Sequence, residues 1–277
     1  MDAVTTHFLD LPGADIYYEL RGSGPLLALV GAPMGASGFQ RLAGLMAADY
    51  RVLTYDPRGS GQTRVADRTQ PTTPELLADD VSRVLSAVTD EPVVLFGSSG
   101  GGSTGLALVT GHPGQVAQLV AHEPPVFCLL DNAEEELAAI GQIYQTYQRA
   151  GGAAAMRQFL LTIGVLGEEG SRRLAASPEP QPEPAPETPA DDNDFFYANQ
   201  LRQTAAFRPD LAALKASPTR IVVGVGAASG GQLAHRTGLA LADQLGVPAV
   251  RFPGDHGGFA GAAPQFADRL RQVLGDS

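Results

Sequence analysis

The 277-residue sequence contains a single cysteine, Cys128. One cysteine cannot form a disulfide within the chain, so a disulfide scaffold is excluded and a reducing compartment is expected. Cys128 stands between Phe127 and Leu129, which favours a packing role over a reactive thiol. Without disulfides, the fold must be stabilised by its hydrophobic core.

Basic residues are scarce, with 19 Lys and Arg against 30 Asp and Glu and a net charge of −11. Nucleic acids and anionic membrane surfaces are bound by clustered Lys and Arg, so neither partner is expected. The excess of acidic residues is unevenly distributed along the chain, because residues 131–194 hold twelve acidic residues against four Arg. We interpret this segment as a solvated acidic surface.

Long apolar runs are also absent, and no segment reaches the length that crosses a bilayer. The N-terminal residues Met1-Asp2-Ala3-Val4 lack the basic and then apolar pattern of a secretory signal. Hydrophobic residues make up 44% of the chain and charged residues 18%, which is typical of a globular protein with a substantial core. We therefore expect a cytoplasmic protein.

Short β-branched runs alternate with amphipathic runs over most of the chain. The first 22 residues predict a hairpin over 4–22, with a turn at Pro12-Gly13-Ala14-Asp15. Further strands are predicted at 26–30, 51–55, from 92, 116–121, 220–225 and 248–252, and helices at 39–48, 74–88, from 106 to 112, 232–245 and 264–274. This alternation predicts an α/β fold with a mostly parallel, doubly wound sheet of about eight strands.

Residues 126–215 interrupt this pattern with helical segments and no convincing strand. Helices are predicted at Asn132–Arg149, Ala153–Leu166 and 191–207. Alternating prolines in residues 177–190 favour an extended, mobile segment. The sequence thus predicts a core domain of residues 1–125 and 216–277 and a helical lid, residues 126–215, inserted after the sixth strand.

Ligands of doubly wound sheets bind where the parallel strands end. The unusual loops all follow predicted strands, at residues 31–35, 56–61, 97–101, 122–125, 224–229 and 254–258. We therefore expect the functional site at this edge of the sheet.

The glycine-rich turn at residues 97–105 fits several motifs. Gly97-x-Ser99-x-Gly101 and Gly101-x-Ser103-x-Gly105 both match the nucleophile turn of serine hydrolases. Gly100-x-Gly102-x-x-Gly105 matches a dinucleotide-binding fingerprint. Glu123 lies at a suitable distance to hold the ribose of a dinucleotide. A phosphate loop is disfavoured because its lysine is missing.

A dinucleotide-binding domain normally begins with its glycine-rich turn. The turn at residues 97–105 lies far from the start of this sequence, so its position favours the hydrolase interpretation. Along nearly its whole length the chain resembles the α/β-hydrolase fold superfamily. The resemblance is carried by Gly31-x-Pro33, Asp56-x-Arg58-Gly59-x-Gly61, Gly97-x-Ser99-x-Gly101, the helical insert and a late His256 in Gly-Asp-His-Gly.

The resemblance implies that Ser99 is the nucleophile and His256 the general base. Ser103 falls one turn inside the helix, where a packing role is expected. The family often places an acid in the loop corresponding to residues 226–229, but that loop has no carboxylate here. Some members, including haloalkane dehalogenases and zearalenone lactone hydrolase, carry the acid after the preceding strand, which points to Glu123. A bracing role for Glu123, or a catalytic dyad without it, stays open.

The resemblance also implies backbone N–H donors for an oxyanion, at Gly100 and Ala32. Val30 replaces a histidine of the family at this loop, so Met34 is an alternative donor. Asp56 and Arg58 are expected to hold their loop together, and aromatic residues of the insert are candidates to line the pocket: Phe127, Tyr144, Tyr147, Phe159, Phe195, Phe196 and Tyr197.

The expected function is a serine hydrolase that cleaves an apolar, small-molecule carboxylic ester or lactone through an acyl-enzyme on Ser99. No cofactor and no metal are expected. Two alternatives remain: a non-hydrolytic cyclase or lyase that uses the same site, and an NAD(P)-dependent oxidoreductase. A homodimer is compatible with all three, and the sequence does not decide the oligomeric state.

Overall fold

Nine strands form one sheet in the computed structural model, which describes residues 4–275; residues 1–3 of the N-terminal stretch discussed above lie outside it. The strands are β1 (Thr5–Leu11), β2 (Ala14–Arg21), β3 (Leu26–Val30), β4 (Arg51–Tyr55), β5 (Arg64–Val65), β6 (Val93–Ser98), β7 (Val116–His122), β8 (Arg220–Gly226) and β9 (Val250–Phe252). They follow the order β1-β2-β4-β3-β6-β7-β8-β9, and β5 pairs with β2.

Strands β1 and β2 form the predicted antiparallel hairpin, and β2 also pairs antiparallel with β4. From β4 to β9 every pairing is parallel. This confirms the predicted α/β class and the mostly parallel sheet. The two-residue strand β5 was not predicted, because a pair of residues carries no periodic signal.

Eleven α-helices occur in the described residues. They are α1 (Gln40–Met46), α2 (Pro74–Val88), α3 (Gly100–Gly111), α4 (Ala133–Ile163), α5 (Gly167–Ala176), α6 (Asp192–Phe195), α7 (Leu201–Ala206), α8 (Leu211–Ala216), α9 (Leu233–Leu245), α10 (Gly258–Gly261) and α11 (Ala263–Gly275). None of them combines the length and the apolar character needed to cross a membrane.

Helices cover both faces of the sheet, as doubly wound folds require. One apolar cluster joins the sheet to α2, α3, α8 and α9. The other joins it to α1 and α11. Because the parallel strands are covered on both faces, their side chains are buried almost continuously rather than alternately.

Among the described residues, the segment between β7 and β8 contains helices and no strand, and it has an apolar core of its own, built from α4, α7 and the turn between α6 and α7. Two helices were predicted where α4 runs from Ala133 to Ile163. The helix is interrupted at Gly151, whose φ is +79°. A Cβ there would lie 2.3 Å from the Glu183 carbonyl oxygen, so only glycine allows the close approach.

The chain that approaches Gly151 is the proline-rich segment. Residues 178–186 form neither helix nor strand, in agreement with the predicted extended conformation. The N–H groups of Glu183 and Ala185 donate to the carbonyls of Ala150 and Gln148 at 3.3 and 3.4 Å. These contacts fasten the segment to α4, and its predicted mobility stays a prediction.

Helix α3 packs so closely on β3 that substitution of Gly101 should be costly. A Cβ on Gly101 would lie 2.0 Å from the Val30 carbonyl oxygen. We expect Gly101→Ala to lower the free energy of unfolding by about 2–3 kcal/mol because backbone must move apart. Urea denaturation followed by circular dichroism measures this change.

The matched control is Gly111→Ala at the other end of α3, where no atom lies within 4 Å of an added Cβ. It should be neutral or stabilise the fold by about 0.5–1 kcal/mol. Equal effects of the two substitutions would contradict the close contact between α3 and β3.

Candidate active site

Two strained turns stand side by side at the carboxyl ends of neighbouring strands. Among the described residues, Ser99 with φ 56° and Glu123 with φ 47° are the only non-glycine residues with positive φ. Ser99 follows β6 and Glu123 follows β7, and these two strands are paired in parallel. Positive φ costs free energy in a residue with a Cβ, and such residues concentrate at functional sites.

The turn at Ser99 is tight because glycines flank it. Strand β6 ends at Ser98 and α3 begins at Gly100, so a single residue reverses the chain direction. A Cβ on Gly97 would lie 2.4 Å from the Gly101 carbonyl oxygen. The glycines of the Gly97-x-Ser99-x-Gly101 motif are therefore required by packing, as the motif predicts.

The residues that precede the two strained turns are joined to each other. Ser98 and His122 are register partners in the sheet, and the Ser98 hydroxyl lies 3.1 Å from His122 Nδ1. The Ser99 N–H also donates to the His122 carbonyl at 2.9 Å. Sequence analysis missed His122, since its importance arises only from strand register.

The Glu123 carboxylate is fully buried, and both of its oxygens accept hydrogen bonds. Its Oε1 accepts from the Gly226 N–H at 2.9 Å and from the Ser229 hydroxyl. Its Oε2 lies 2.7 Å from His256 Nδ1. The loop that lacks a carboxylate, residues 226–229, thus supplies donors to the carboxylate of Glu123 instead.

These contacts decide the ionisation of Glu123. Burial alone would raise the pKa of this carboxyl. The hydrogen bond with His256, the nearby imidazoles of His122 and His256 and the bond with Ser229 outweigh burial and lower the pKa to about 2. Glu123 is therefore a carboxylate at neutral pH.

His256 lies after β9, in the loop between this strand and α10, and its side chain is 17% exposed. The neighbouring Asp255 turns away from it, because its Oδ1 accepts from the Gly257 N–H at 2.9 Å. Glu123, and not the adjacent Asp255, is thus the carboxylate that contacts His256.

His122 stacks against His256 and is uncharged at neutral pH. Its ring centroid is 6.1 Å from that of His256, and phenylalanine rings surround its other sides. Burial lowers the pKa of His122 to about 4, although the Glu123 charge opposes this shift. Because His122 is neutral and buried, His256 is the titratable partner of Glu123 that is partly exposed to solvent.

Ser99 and His256 line one cavity with an empty volume of about 540 Å³. The described residues include no direct hydrogen bond between the Ser99 hydroxyl and His256. Contacts of this kind commonly tighten only when a substrate binds. The other fourteen lining residues are apolar except Thr204; they are Ala32, Pro33, Gly100, Pro125, Phe127, Ile140, Phe159, Ile163, Phe196, Leu201, Thr204, Ala205, Leu233 and Ala234.

Gly100 and Ala32, the predicted oxyanion donors, both line this cavity. Their N–H groups have no acceptor among the backbone hydrogen bonds of the described residues. The Gly100 N–H also belongs to the first turn of α3, where a helix carries partial positive charge. Both donors are therefore available to a developing negative charge.

Other predicted residues fall where packing or structural roles were expected. Asp56 accepts from the Ala36 and Gln62 N–H groups at 2.8 Å, and Arg58 pairs with the buried Asp80 at 2.7 Å. Ser103 is fully buried inside α3. These contacts agree with the loop-holding role of Asp56 and Arg58.

The aromatic residues of the insert divide between two environments. Phe127, Phe159 and Phe196 line the cavity, as predicted. The remaining four lie outside the cavity lining: Tyr144, Tyr147, Phe195 and Tyr197. Tyr147 and Tyr197 pack against each other with ring centroids 5.8 Å apart, inside the core of the insert.

The dinucleotide interpretation of the glycine-rich turn finds no support in the geometry. Gly102 and Gly105 lie inside α3, where a Cβ would meet Pro124 at 3.1 Å and Leu119 at 2.7 Å. These glycines therefore permit packing of α3 on the strands. The Glu123 carboxylate is already bound by His256 and Ser229.

Comparisons with known proteins agree with these features. The family model described as the alpha/beta hydrolase fold matches residues 24–169. The chain is 31% identical over 271 residues to the Uncharacterized hydrolase YraK of Bacillus subtilis (strain 168), covering 96% of this chain and 94% of that protein. It is also 29% identical over 172 residues to the Zearalenone hydrolase of Bionectria ochroleuca, covering 58% of this chain and 62% of that protein.

Among solved structures, the enol-lactonase from Burkholderia xenovorans LB400 superimposes with a TM-score of 0.70 at 19% identity, covering 97% of this chain and 99% of that chain. This likeness concerns the fold. The family model spans more than half of the chain and the Bacillus relative nearly all of it. The protein belongs to the α/β-hydrolase fold family, as its motifs predicted, and it is an enzyme of that family.

Proposed function

We propose that the protein is a serine hydrolase that cleaves a carboxylic ester or lactone through an acyl-enzyme on Ser99. The observation that carries this proposal is the hydrogen-bonded pair of Glu123 and His256, placed at the same cavity as Ser99. An acid, an imidazole and a hydroxyl in this order form the constellation of nucleophilic acyl transfer.

In the first half of the reaction, His256 Nε2 takes the proton of the Ser99 hydroxyl while Ser99 Oγ bonds to the carbonyl carbon. The carbonyl electron pair moves to its oxygen, and the N–H groups of Gly100 and Ala32 donate to this oxyanion. When the electron pair returns, the bond to the leaving oxygen breaks, and His256 protonates that oxygen.

In the second half, water attacks the acyl-enzyme and gives its proton to His256. The tetrahedral intermediate collapses, the acid leaves, and Ser99 regains its proton. Glu123 acts through His256 in both halves. Its carboxylate accepts from Nδ1–H, which leaves Nε2 free to accept a proton and stabilises the imidazolium that forms.

The lining of the cavity supports an uncharged substrate. None of the residues that line it in the described chain is an Asp, Glu, Lys or Arg. A charged substrate would lose its hydration without gaining a partner there. The names of two similar proteins, Zearalenone hydrolase and enol-lactonase, also support an ester or lactone as the substrate.

The division of labour within the chain is part of the proposal. Residues 1–125 and 216–277 supply the reacting groups, while residues 126–215 act as a lid over them. The lid contributes most of the apolar cavity wall, through α4 and α7 among other elements. We further propose a cytoplasmic location, where a small apolar ester or lactone would reach the site without a membrane partner.

A fluorophosphonate probe tests the nucleophile. We expect stoichiometric labelling of the wild-type protein, because the probe requires an activated hydroxyl, and peptide mapping by mass spectrometry should place the label on Ser99. Ser99→Ala should abolish labelling. Ser103→Ala is the control, since this buried serine belongs to the second motif match, and it should be labelled as the wild type is. Labelling that persists in Ser99→Ala would disprove the assignment.

The role of Glu123 is tested by Glu123→Gln, which keeps the shape but not the charge. We expect kcat for p-nitrophenyl butyrate to fall about 10³–10⁴-fold, because His256 loses the acceptor that fixes its tautomer. Asp255→Asn removes the carboxylate next to His256 in sequence and should leave kcat close to the wild-type value. If Asp255→Asn caused the larger loss, the acid would have to be reassigned.

The ionisation of Glu123 also predicts how stability depends on pH. A carboxyl whose pKa falls from 4.5 to about 2 on folding stabilises the fold above pH 4.5 and loses this contribution as the pH falls toward 2. The contribution is roughly 3 kcal/mol at its full extent. Urea unfolding of wild type and Glu123→Gln should therefore show a stability difference that shrinks between about pH 5 and about pH 3. A difference independent of pH over this range would mean that folding leaves the pKa of this carboxyl unchanged.

A further inference from the structure

One helix of the insert directs a polar side chain into the apolar cavity. Helix α7 follows a π-helical turn at Phe196–Gln200, which sets the rotation of the next turn. Leu201, Thr204 and Ala205 are spaced three and four residues apart, so they share one face of α7. All three line the cavity.

Thr204 differs from every other residue in this lining. The polar side chains among the lining residues are Ser99, His256 and Thr204. Ser99 and His256 are used by the proposed reaction. Thr204 is not, and it lies on the insert rather than on the elements that carry the reacting groups.

The Thr204 hydroxyl has no hydrogen-bond partner within the described part of the chain. Threonines elsewhere in helices, such as Thr104 and Thr110, donate to a carbonyl of the preceding turn. No such bond is formed by Thr204, although the residue is only 9% exposed. A buried hydroxyl that is left unpaired destabilises a fold unless something else satisfies it.

Other unpaired polar groups of the insert are different in kind. The Tyr147 hydroxyl and the side-chain amide of Gln200 also lack partners, but their atoms are sealed from solvent and do not line the cavity. The Thr204 oxygen is not among the sealed atoms. The Thr204 oxygen therefore keeps some accessible surface, and the residue lines the cavity.

We propose that the Thr204 hydroxyl is a specificity-determining group that donates a hydrogen bond to a polar atom in the acyl portion of the substrate. The inference rests on the proposed function, since it names a feature of the substrate of that same site. It assigns the substrate class as an ester or lactone whose acyl portion is largely apolar but carries one hydrogen-bond acceptor, such as a keto or hydroxyl oxygen, away from the scissile carbonyl.

The acyl portion is the part of the substrate that stays attached to Ser99 after the leaving group departs. A contact made by Thr204 to this portion holds in both halves of the reaction, and it positions the acyl-enzyme for attack by water. A neutral hydrogen bond in a protected site discriminates by roughly 3- to 10-fold. The apolar wall around Thr204 provides the remaining contact area.

The experiment compares p-nitrophenyl octanoate with a series of its keto derivatives, in which the keto group is moved one carbon at a time along the distal half of the acyl chain, too far from the ester carbonyl to change its intrinsic reactivity. The measured quantity is the ratio of kcat/KM for each keto ester to kcat/KM for the plain ester. The variants are Thr204→Val, which removes the hydroxyl and keeps the shape, and Thr204→Ser, which keeps the hydroxyl. Thr162→Val is the matched control, because Thr162 lies on α4 of the insert but does not line the cavity.

We expect the wild-type ratio to rise above one by about 3- to 10-fold at one position of the keto group. Thr204→Val should abolish this preference, while Thr204→Ser and Thr162→Val retain it. A wild-type enzyme without any preference, or a preference that survives in Thr204→Val, overturns the inference while Ser99-dependent hydrolysis of the plain ester still supports the proposed function. If no ester is hydrolysed and no fluorophosphonate label reaches Ser99, both proposals fail.

Discussion

The buried negative charge of Glu123 is the constraint on which the rest of the site depends. A carboxylate without solvent exposure is costly unless it is paired and hydrogen-bonded. Here its partners come from separate parts of the chain: the Gly226 N–H at the end of β8, the Ser229 hydroxyl in the loop that follows, and the His256 imidazole after β9. The charge therefore ties the ends of three neighbouring strands, β7, β8 and β9, into one rigid unit.

The sheet supplies the other half of this arrangement. Parallel pairing of β6 and β7 places the turn of Ser99 next to the turn of Glu123, and the bond between Ser98 and His122 joins the residues just before them. Both turns hold a strained, positive φ, which persists only where the surroundings fix it. Strand register, rather than any contact between Ser99 and Glu123, sets the geometry of the candidate site.

Part of this site could be predicted from the sequence because its signals are local. The glycines around Ser99 and around His256 mark sharp turns after strands. The absence of a carboxylate at residues 226–229 favours Glu123 as the acid. Ser229 and His122 could not be found in this way, since their roles depend on which strands are neighbours. The break of α4 at Gly151 agrees with the two helices predicted at Asn132–Arg149 and Ala153–Leu166. The π turn before α7 escaped prediction, because a π turn has no composition of its own.

Core and insert differ in how strictly they are constrained. The proposed reacting groups lie on turns after strands, and beside Ser99 an added Cβ at Gly97 or Gly101 has no room. Six of the sixteen residues that line the cavity lie on α4 and α7 instead, and apart from Thr204 they have apolar side chains that need only fill space and exclude water. Changes in the wall can therefore alter which substrate binds without disturbing the proposed catalytic groups. A polar side chain such as Thr204 is informative in that wall, because packing alone gives no reason to place an unpaired hydroxyl there.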